Sequence, residues 1–320
     1  MHYRASLLLR TCLFLIAACL TSFAQTVSPG QEQSDPPADS SYSIKVNTTF
    51  VLVPVTVTDH QNRFVLGLDR QNFELAEDGT EQIIKEVSGE DSPLSVGLLV
   101  DTSGSMGMKL EISRRAVQEF LKTMNSSDEA FLIEFSDQAK LVSGFSSNME
   151  TVQKRLSSLR SGGLTALLDA VHMGLREMKQ AKNPRKALLI ISDGGDNNSR
   201  YSMTEIRELV READIQVYSM GVFESSMMGL SVAELSGPNL LARISESTGG
   251  RVFSAGQDSD LPSIARRIGI ELRNQYVLAY YPSNHDRDGK YRKIEVTLKP
   301  PDGLPPIQAR WRSGYYAPNQ

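Results

Sequence analysis

Two nearly continuous apolar runs stand out along the chain, and each ends in a polar cluster. Leu94–Val100 is followed by Asp101-Thr102-Ser103-Gly104-Ser105, and Ala187–Ile191 is followed by Ser192-Asp193-Gly194. Runs of this kind are typical of strands that are buried on both faces of a parallel sheet. Strand and helix patterns alternate around them as far as about residue 270. The pattern predicts an α/β domain over residues 94–273, with a doubly wound, mostly parallel sheet.

Patterns typical of β-strands lie on both sides of this domain. On the amino-terminal side, residues 42–90, the strand patterns are Phe50–Asp59, Phe73–Gly79 and Gln82–Val87. On the carboxy-terminal side, residues 275–317, they are Tyr276–Tyr281, Tyr291–Leu298 and Gln308–Trp311. Pro54 cannot donate a ladder hydrogen bond, which predicts an edge position or a bulge in the first strand. Each segment alone is small for an independent core, so we hypothesise that the two pack as one β-sandwich with the α/β domain inserted between its strands.

The first 24 residues have the pattern of a secretory signal peptide. Arg4 and Arg10 form a positively charged start, and Thr11–Leu20 is apolar but too short to span a bilayer. Ser22-Phe23-Ala24 resembles the small-residue cleavage site of such signals, with Gln25 as the first residue of the mature chain. The sequence therefore predicts export.

A bacterial lipoprotein signal is a second interpretation of the same stretch. Ile16-Ala17-Ala18-Cys19 resembles a lipobox, in which Cys19 is the lipidated residue. Residues 25–41 are rich in Pro, Ser, Gln and Asp and predict a disordered linker after the signal. We expect an exported protein, in the periplasm, in the cell envelope or secreted. Its mature chain has no predicted transmembrane helix, and a lipid anchor at Cys19 belongs to the second interpretation.

Composition and the scatter of the histidines narrow the function classes. The formal net charge is −4, and no basic stretch gives the electrostatic footprint of a nucleic-acid-binding protein. His60, His172 and His285 have no paired spacing for a zinc site. The chain has neither a P-loop motif nor a Gly-x-Ser-x-Gly motif. These observations argue against the enzyme classes named, and we expect that the protein is not an enzyme.

The polar cluster after the first apolar run collects oxygen atoms. Asp101, Ser103 and Ser105 stand at alternate positions, and Gly104 permits a tight turn between them. Ligand sites of open α/β sheets lie at the carboxyl ends of the strands, and hard cations such as Mg²⁺ prefer oxygen ligands. The cluster is a candidate metal site. Taken alone, it is also compatible with a plain polar turn after a core strand.

Five positions together resemble the von Willebrand factor type A domain. They are Asp101-x-Ser103-x-Ser105 after a buried strand, Thr165 in a glycine-flanked loop before a helix, and Asp193 after a second buried strand. The metal-ion-dependent adhesion site of that family combines a DxSxS motif with a distant Thr and a distant Asp. The whole chain is also similar to a class of exported bacterial proteins with such a domain, in the segment Val51–Asp59 and the tail Gly314-Tyr315-Tyr316.

The resemblance implies both a site and a function. Ser103, Ser105 and Thr165 bind Mg²⁺, or Mn²⁺ or Ca²⁺ in its place, directly through their hydroxyl groups. Asp101 and Asp193 act mainly through bound water or through hydrogen bonds to the direct ligands. An Asp or Glu carboxylate of a protein partner then completes the coordination shell. The implied function is metal-dependent protein binding of the adhesion type.

Other interpretations stay open at this point. A Mg²⁺-dependent phosphohydrolase of the haloacid-dehalogenase type also has an Asp after a buried strand, but it needs a second Asp where this chain has Ser103. A structural envelope protein with a vestigial site fits the same pattern. Thr165 has a second interpretation as a helix cap. Asp196-Asn197-Asn198 either tune the metal or are solvated loop residues.

Overall fold

The structure, a computed structural model, describes residues 50–89, 92–223, 232–254, 260–301, 303 and 305–319, without the side chains of residues 232–235. The predicted signal peptide with Cys19 and the predicted linker lie outside the described residues. The strands are β1 (Val51–Asp59), β2 (Phe73–Glu77), β3 (Thr80–Gln82), β4 (Ile84–Gly89), β5 (Leu94–Asp101), β6 (Glu129–Phe135), β7 (Ala139–Ser146), β8 (Arg185–Ser192), β9 (Gln216–Gly221), β10 (Val252–Ser254), β11 (Tyr276–Tyr280), β12 (Tyr291–Leu298), β13 (Ile307–Trp311) and β14 (Gly314–Tyr316). The helices are α1 (Leu110–Leu121), α2 (Met149–Ser157), α3 (Leu167–Met178), α4 (Met203–Glu212), α5 (Val232–Ser245) and α6 (Leu261–Arg273).

Strand β5 lies inside a six-stranded sheet with the order β10-β9-β8-β5-β6-β7. It pairs in parallel with β8 on one side and with β6 on the other, and β7 is an antiparallel edge strand. Every residue of β5 is buried, as its apolar pattern predicts. Helices α1, α2 and α6 cover one face of the sheet, and α3, α4 and α5 cover the other. The predicted α/β fold is confirmed, and the carboxyl ends of β5 and β8 lie side by side.

The two flanking β segments form two antiparallel four-stranded sheets, β13-β1-β11-β4 and β14-β12-β2-β3. Each sheet combines strands from both ends of the chain. One hydrophobic core, which includes Val53, Leu75, Leu278 and Ile294, lies between them. The two segments therefore share a core, as the sandwich hypothesis requires. The α/β domain is inserted between β4 and β11, which pair directly with each other.

Two details of the β segments differ from the prediction. Strand β1 is not an edge strand, because β11 pairs with its first half and β13 with its second half. Pro54 lies in the half that has β11 as its only neighbour, so its missing N–H removes no hydrogen bond to β13. The predicted return strand Gln82–Val87 is in fact two strands, since the chain passes from one sheet to the other at Ile83.

Within the described part of the chain, no helix combines the length and the apolar character needed to cross a membrane.

Candidate metal centre

The polar cluster after β5 is a short loop that folds back on the strand end. Asp101, the last residue of β5, is buried, and its Oδ1 accepts a hydrogen bond from the backbone N–H of Ser103 at 2.9 Å. A single 3-10 turn over Gly104–Met106 follows. The turn brings the Oγ of Ser103 to 3.2 Å from the Oγ of Ser105. Two of the three predicted hydroxyl ligands therefore meet at the end of β5.

Backbone hydrogen bonds join the loop of Thr165 to this cluster. The N–H of Gly162 donates to the carbonyl of Thr102 at 2.7 Å, and the N–H of Gly104 donates to the carbonyl of Gly163 at 3.0 Å. Thr165, two residues further on, is 5% exposed. The third predicted hydroxyl thus belongs to a loop that is hydrogen-bonded through its backbone to the loop of Ser103 and Ser105.

Thr165 does not cap the helix that follows it. Helix α3 begins at Leu167, whose N–H donates to the carboxylate of Asp196 at 2.9 Å. The side-chain oxygen of Asn197 accepts the backbone N–H of Thr165 at 2.8 Å. The interpretation of Thr165 as a helix cap is therefore wrong. Asp196 and Asn197 are loop residues that hold the Thr165 loop in place.

Asp193 follows β8, and its two carboxylate oxygens have different surroundings. Oδ1 accepts the N–H of Gly195 at 3.2 Å. Oδ2 is buried and accepts no hydrogen bond from any described residue. The ammonium group of Lys109, a side chain that is 12% exposed, lies 3.5 Å from this Oδ2. Asp193 therefore presents a buried carboxylate oxygen whose nearest opposite charge is a lysine at ion-pair distance.

A serine outside the predicted set joins the two acidic residues. Ser192, the last residue of β8, donates from its Oγ to Oδ2 of Asp101 at 2.5 Å. Burial raises the pKa of Asp101 to about 6, the hydrogen bonds from Ser103 and Ser192 oppose this rise, and the charge of Asp193 adds to it. Two buried carboxyl groups thus lie close enough to repel each other. A bound cation relieves such repulsion.

Two residues that contribute to this site, Ser192 and Lys109, were missed by sequence reasoning, and Asn197 was named there without its contact to Thr165. Ser192 carried a signal, because it is a hydroxyl at the end of an otherwise apolar strand. Lys109 carried none, since its side chain reaches Asp193 only through the fold. Asn197 lies in a polar loop whose sequence gives no indication of which backbone group its side chain contacts.

The side chains of the cluster fit a hard divalent cation. Among the described residues, no three His, Cys, Asp or Glu side chains group together as a metal site. A site here therefore depends on hydroxyl groups as well as carboxylates, and Ser103, Ser105 and Thr165 provide them. All five predicted residues offer oxygen, which Mg²⁺, Mn²⁺ and Ca²⁺ prefer. The buried Oδ2 of Asp193 is an acceptor that a cation would satisfy.

A family model described as the von Willebrand factor type A domain matches residues 96–195. The matched stretch spans all five predicted positions, from Asp101 to Asp193. The chain contains a von Willebrand factor type A domain. Domains of this family are generally protein-interaction modules, and they commonly bind a divalent metal.

Two relatives match part of the chain at low identity. An uncharacterized protein of Borreliella burgdorferi is 22% identical in an alignment of 210 residues that covers 56% of this chain and 61% of that protein. Mouse inter alpha-trypsin inhibitor heavy chain 4 is 29% identical in an alignment of 139 residues that covers 39% of this chain and 15% of that protein. The matches therefore span less than two thirds of the length of each relative.

Solved structures with a similar fold are also found. A von Willebrand factor type A protein from Catenulispora acidiphila has a TM-score of 0.49 at 11% identity, covering 85% of this chain and 74% of that one. The conserved hypothetical protein BatB from Bacteroides thetaiotaomicron has a TM-score of 0.45 at 19% identity, covering 56% of this chain and 97% of that one.

Proposed function

We propose that the von Willebrand factor type A domain binds a protein partner through a divalent metal ion, Mg²⁺ or, in its place, Mn²⁺ or Ca²⁺. Ser103, Ser105 and Thr165 supply hydroxyl ligands. Because these ligands are neutral, the ion stays electron-poor, and Mg²⁺ requires six oxygen ligands in near-octahedral geometry. A coordination position is therefore left for the carboxylate of an Asp or Glu from the partner.

The observation that carries this proposal is the state of Asp193. Its Oδ2 is buried, accepts no hydrogen bond from a described residue and has a cation, Lys109, at 3.5 Å. A buried acceptor without a hydrogen bond costs about 1–3 kcal/mol of folding free energy. A role in holding a metal ion or its bound water explains why the fold keeps this oxygen in such a place.

The hydrogen bonds of Asp101 support an indirect role for this residue. Its Oδ1 accepts the N–H of Ser103, and its Oδ2 accepts the hydroxyl of Ser192. Both oxygens are thus engaged with the protein. In the proposed mechanism, Asp101 orients the loop that carries Ser103 and Ser105, and it leaves direct coordination to the hydroxyl groups.

We place this binding function outside the cytoplasm. The sequence of residues 1–24 supports export to the periplasm, the cell envelope or the medium, with lipidation of Cys19 as the second mode. In each of these locations a metal-bridged contact links the chain to a neighbouring protein, and no chemical turnover is involved.

Metal binding is tested first with the purified protein. Mn²⁺ is titrated into the chain and the free ion is followed by electron paramagnetic resonance, with Mg²⁺ as competitor. We expect one bound ion per chain, lost in Ser103→Ala and in Ser105→Ala. Ser143→Ala is the matched control, because within the described part of the chain the hydroxyl of Ser143 donates to the carbonyl of Gly144, on the edge strand β7 and away from the site. Wild-type affinity in both site variants would contradict the proposal.

Partner binding is tested by capture from an envelope extract. Proteins retained by the immobilised chain should elute with EDTA, bind again when Mg²⁺ is restored, and be absent with Asp101→Ala. Capture that survives both EDTA and the substitution would exclude a metal-bridged contact. Turnover of a phosphate ester that disappears in Asp101→Ala would favour the phosphohydrolase interpretation instead.

A further inference from the structure

Lys109 folds back over the end of β8 from the beginning of α1. Its backbone N–H donates to the carbonyl of Met106 at 3.0 Å, and its carbonyl accepts the N–H of Ser113 at 3.0 Å. These bonds fix the backbone of Lys109 at the residue before the helix. From this position the ammonium group reaches to 3.5 Å from Oδ2 of Asp193, and only 12% of the side chain is exposed.

This is an unfavourable position for a lysine. The first turn of a helix carries a partial positive charge, which disfavours a cation, and burial removes most of the hydration of the ammonium group. Lys122, at the other end of α1, shows the ordinary arrangement, since it is 66% exposed and pairs with Glu119. Lys109 therefore depends on compensating negative charge, and Asp193 is one source of it.

We infer that Lys109 is the resident cation of the metal-free site. Its ammonium group neutralises Asp193 when no metal is bound, and it withdraws when a divalent ion enters. The inference rests on the proposed metal site. If a lysine ammonium group and a divalent ion both lay at ion-pair distance from the same buried carboxylate, the two cations would repel each other strongly. The flexible four-carbon stem of lysine lets the ammonium group move toward solvent without a change in the backbone.

The exchange between ammonium and metal makes Lys109 a determinant of metal affinity. Removing its charge removes the competitor, and it also leaves Asp193 uncompensated in the metal-free protein. Both effects tighten metal binding. The second effect also destabilises the metal-free protein, because a buried carboxylate then lacks its cation. A lysine that only helped to build the loop would behave differently, since its loss would lower both stability and affinity.

The test compares Lys109→Met with the wild type and with Lys122→Met. The control removes the same charge from the same helix at an exposed position. Each protein is titrated with MgCl₂ and MnCl₂ by isothermal titration calorimetry, and its urea midpoint is measured in EDTA. We expect Lys109→Met to bind Mg²⁺ about tenfold more tightly than wild type and to unfold at lower urea in EDTA. Lys122→Met should keep the wild-type affinity.

Two more variants secure the result. Lys109→Gln is a second neutral variant for the case that the methionine variant does not fold, and Lys109→Arg keeps the charge and should keep weak, wild-type-like binding. Unchanged or weaker Mg²⁺ affinity in a folded neutral variant overturns the role of Lys109 and leaves the metal site standing. Absence of metal binding in wild type and variants alike overturns the metal site itself, and the inference with it.

Discussion

The hydroxyl of Ser192 donates a 2.5 Å hydrogen bond to Oδ2 of Asp101, although the two residues are 91 positions apart. The parallel pairing of β5 with β8 brings the two strand ends together. The same hydroxyl accepts the N–H of Gly194 at 2.8 Å. Ser192 therefore ties the loop of Asp193 to the strand that carries the DxSxS motif, and it links the two halves of the proposed metal site.

Ser192→Ala should destabilise the metal-free protein by about 1–3 kcal/mol, because Asp101 loses a hydrogen-bond donor in a fully buried position. Urea unfolding in EDTA, followed by circular dichroism, measures this. Ser113→Ala is the matched control, since the hydroxyl of Ser113 is also buried but donates to a carbonyl that the helix already bonds. Its substitution should cost much less. Equal stability of Ser192→Ala and wild type would mean that the 2.5 Å hydrogen bond does not contribute to the stability of the folded protein.

Asn197→Ala should weaken Mg²⁺ binding about fivefold, which corresponds to the loss of one hydrogen bond of about 1 kcal/mol. The effect is indirect: the side chain of Asn197 accepts the backbone N–H of Thr165 and so positions this proposed ligand, and Asn197 is not itself proposed to bind the metal. Calorimetric titration measures the change. The neighbouring Asn198→Ala serves as control, since the side-chain amide of Asn198 donates to the carbonyl of Asp137, and its backbone N–H, which donates to the carbonyl of Thr165, is kept in the variant. Parallel losses in both variants would indicate a general loosening of the loop.

Gly194→Ala should lower the free energy of unfolding by at least about 2 kcal/mol, since strain and a backbone clash combine. Gly194 has a φ of +78°, and a Cβ at this position would lie 2.5 Å from the carbonyl oxygen of Gly237. Gly144→Ala, on the edge strand β7, brings the new Cβ within 4 Å of no described residue other than its chain neighbours and should change stability little. Thermal unfolding of both variants separates a specific clash from the general effect of replacing a glycine. A Gly194→Ala protein as stable as wild type would contradict the described loop geometry.

The stability of the protein should fall as the pH rises above about 10, the usual pKa of tyrosine. Tyr280 is buried, and its hydroxyl donates to Oε2 of Glu77 at 2.7 Å. Burial, first of all, and Glu77 raise the pKa of Tyr280 far above its usual value. The unfolded chain then releases a proton that the folded chain keeps, so each such tyrosine lowers the free energy of unfolding by about 1.4 kcal/mol per pH unit.

Tyr280→Phe removes this contribution. Between pH 10 and 11, its free energy of unfolding should decline less steeply than that of wild type, by about 1 kcal/mol per pH unit, because the tyrosine of the unfolded chain is only partly ionised in this range. Urea unfolding at several pH values measures the slopes. Around pH 7 tyrosine is neutral in the unfolded chain, and this difference in slope should vanish there. Identical slopes above pH 10 would show that Tyr280 does not hold its proton in the folded state.

Local patterns were sufficient for the elements of the α/β domain and for the candidate metal residues. A strand buried on both faces needs an unbroken apolar run, and β5 and β8 display one directly in sequence. The position of Asp101 and Asp193 at the ends of these runs follows, because parallel strands place their carboxyl ends on one edge of the sheet. The strand arrangement of the β segments was harder to predict from the sequence, because pairings between distant strands decide the surroundings of Pro54 and Ile83.

The sequence by itself determined the fold class, because burial and periodicity are local properties, and its five candidate oxygen-bearing residues carried the resemblance to the von Willebrand factor type A domain. The tertiary structure alone decided how those residues are held. Ser192 reaches Asp101, Asn197 holds Thr165 and Lys109 faces Asp193 only after the strands are ordered and the loops are joined by hydrogen bonds. Such contacts depend on how segments that are far apart in the chain are placed in space. The pattern of residues along the chain does not specify that placement.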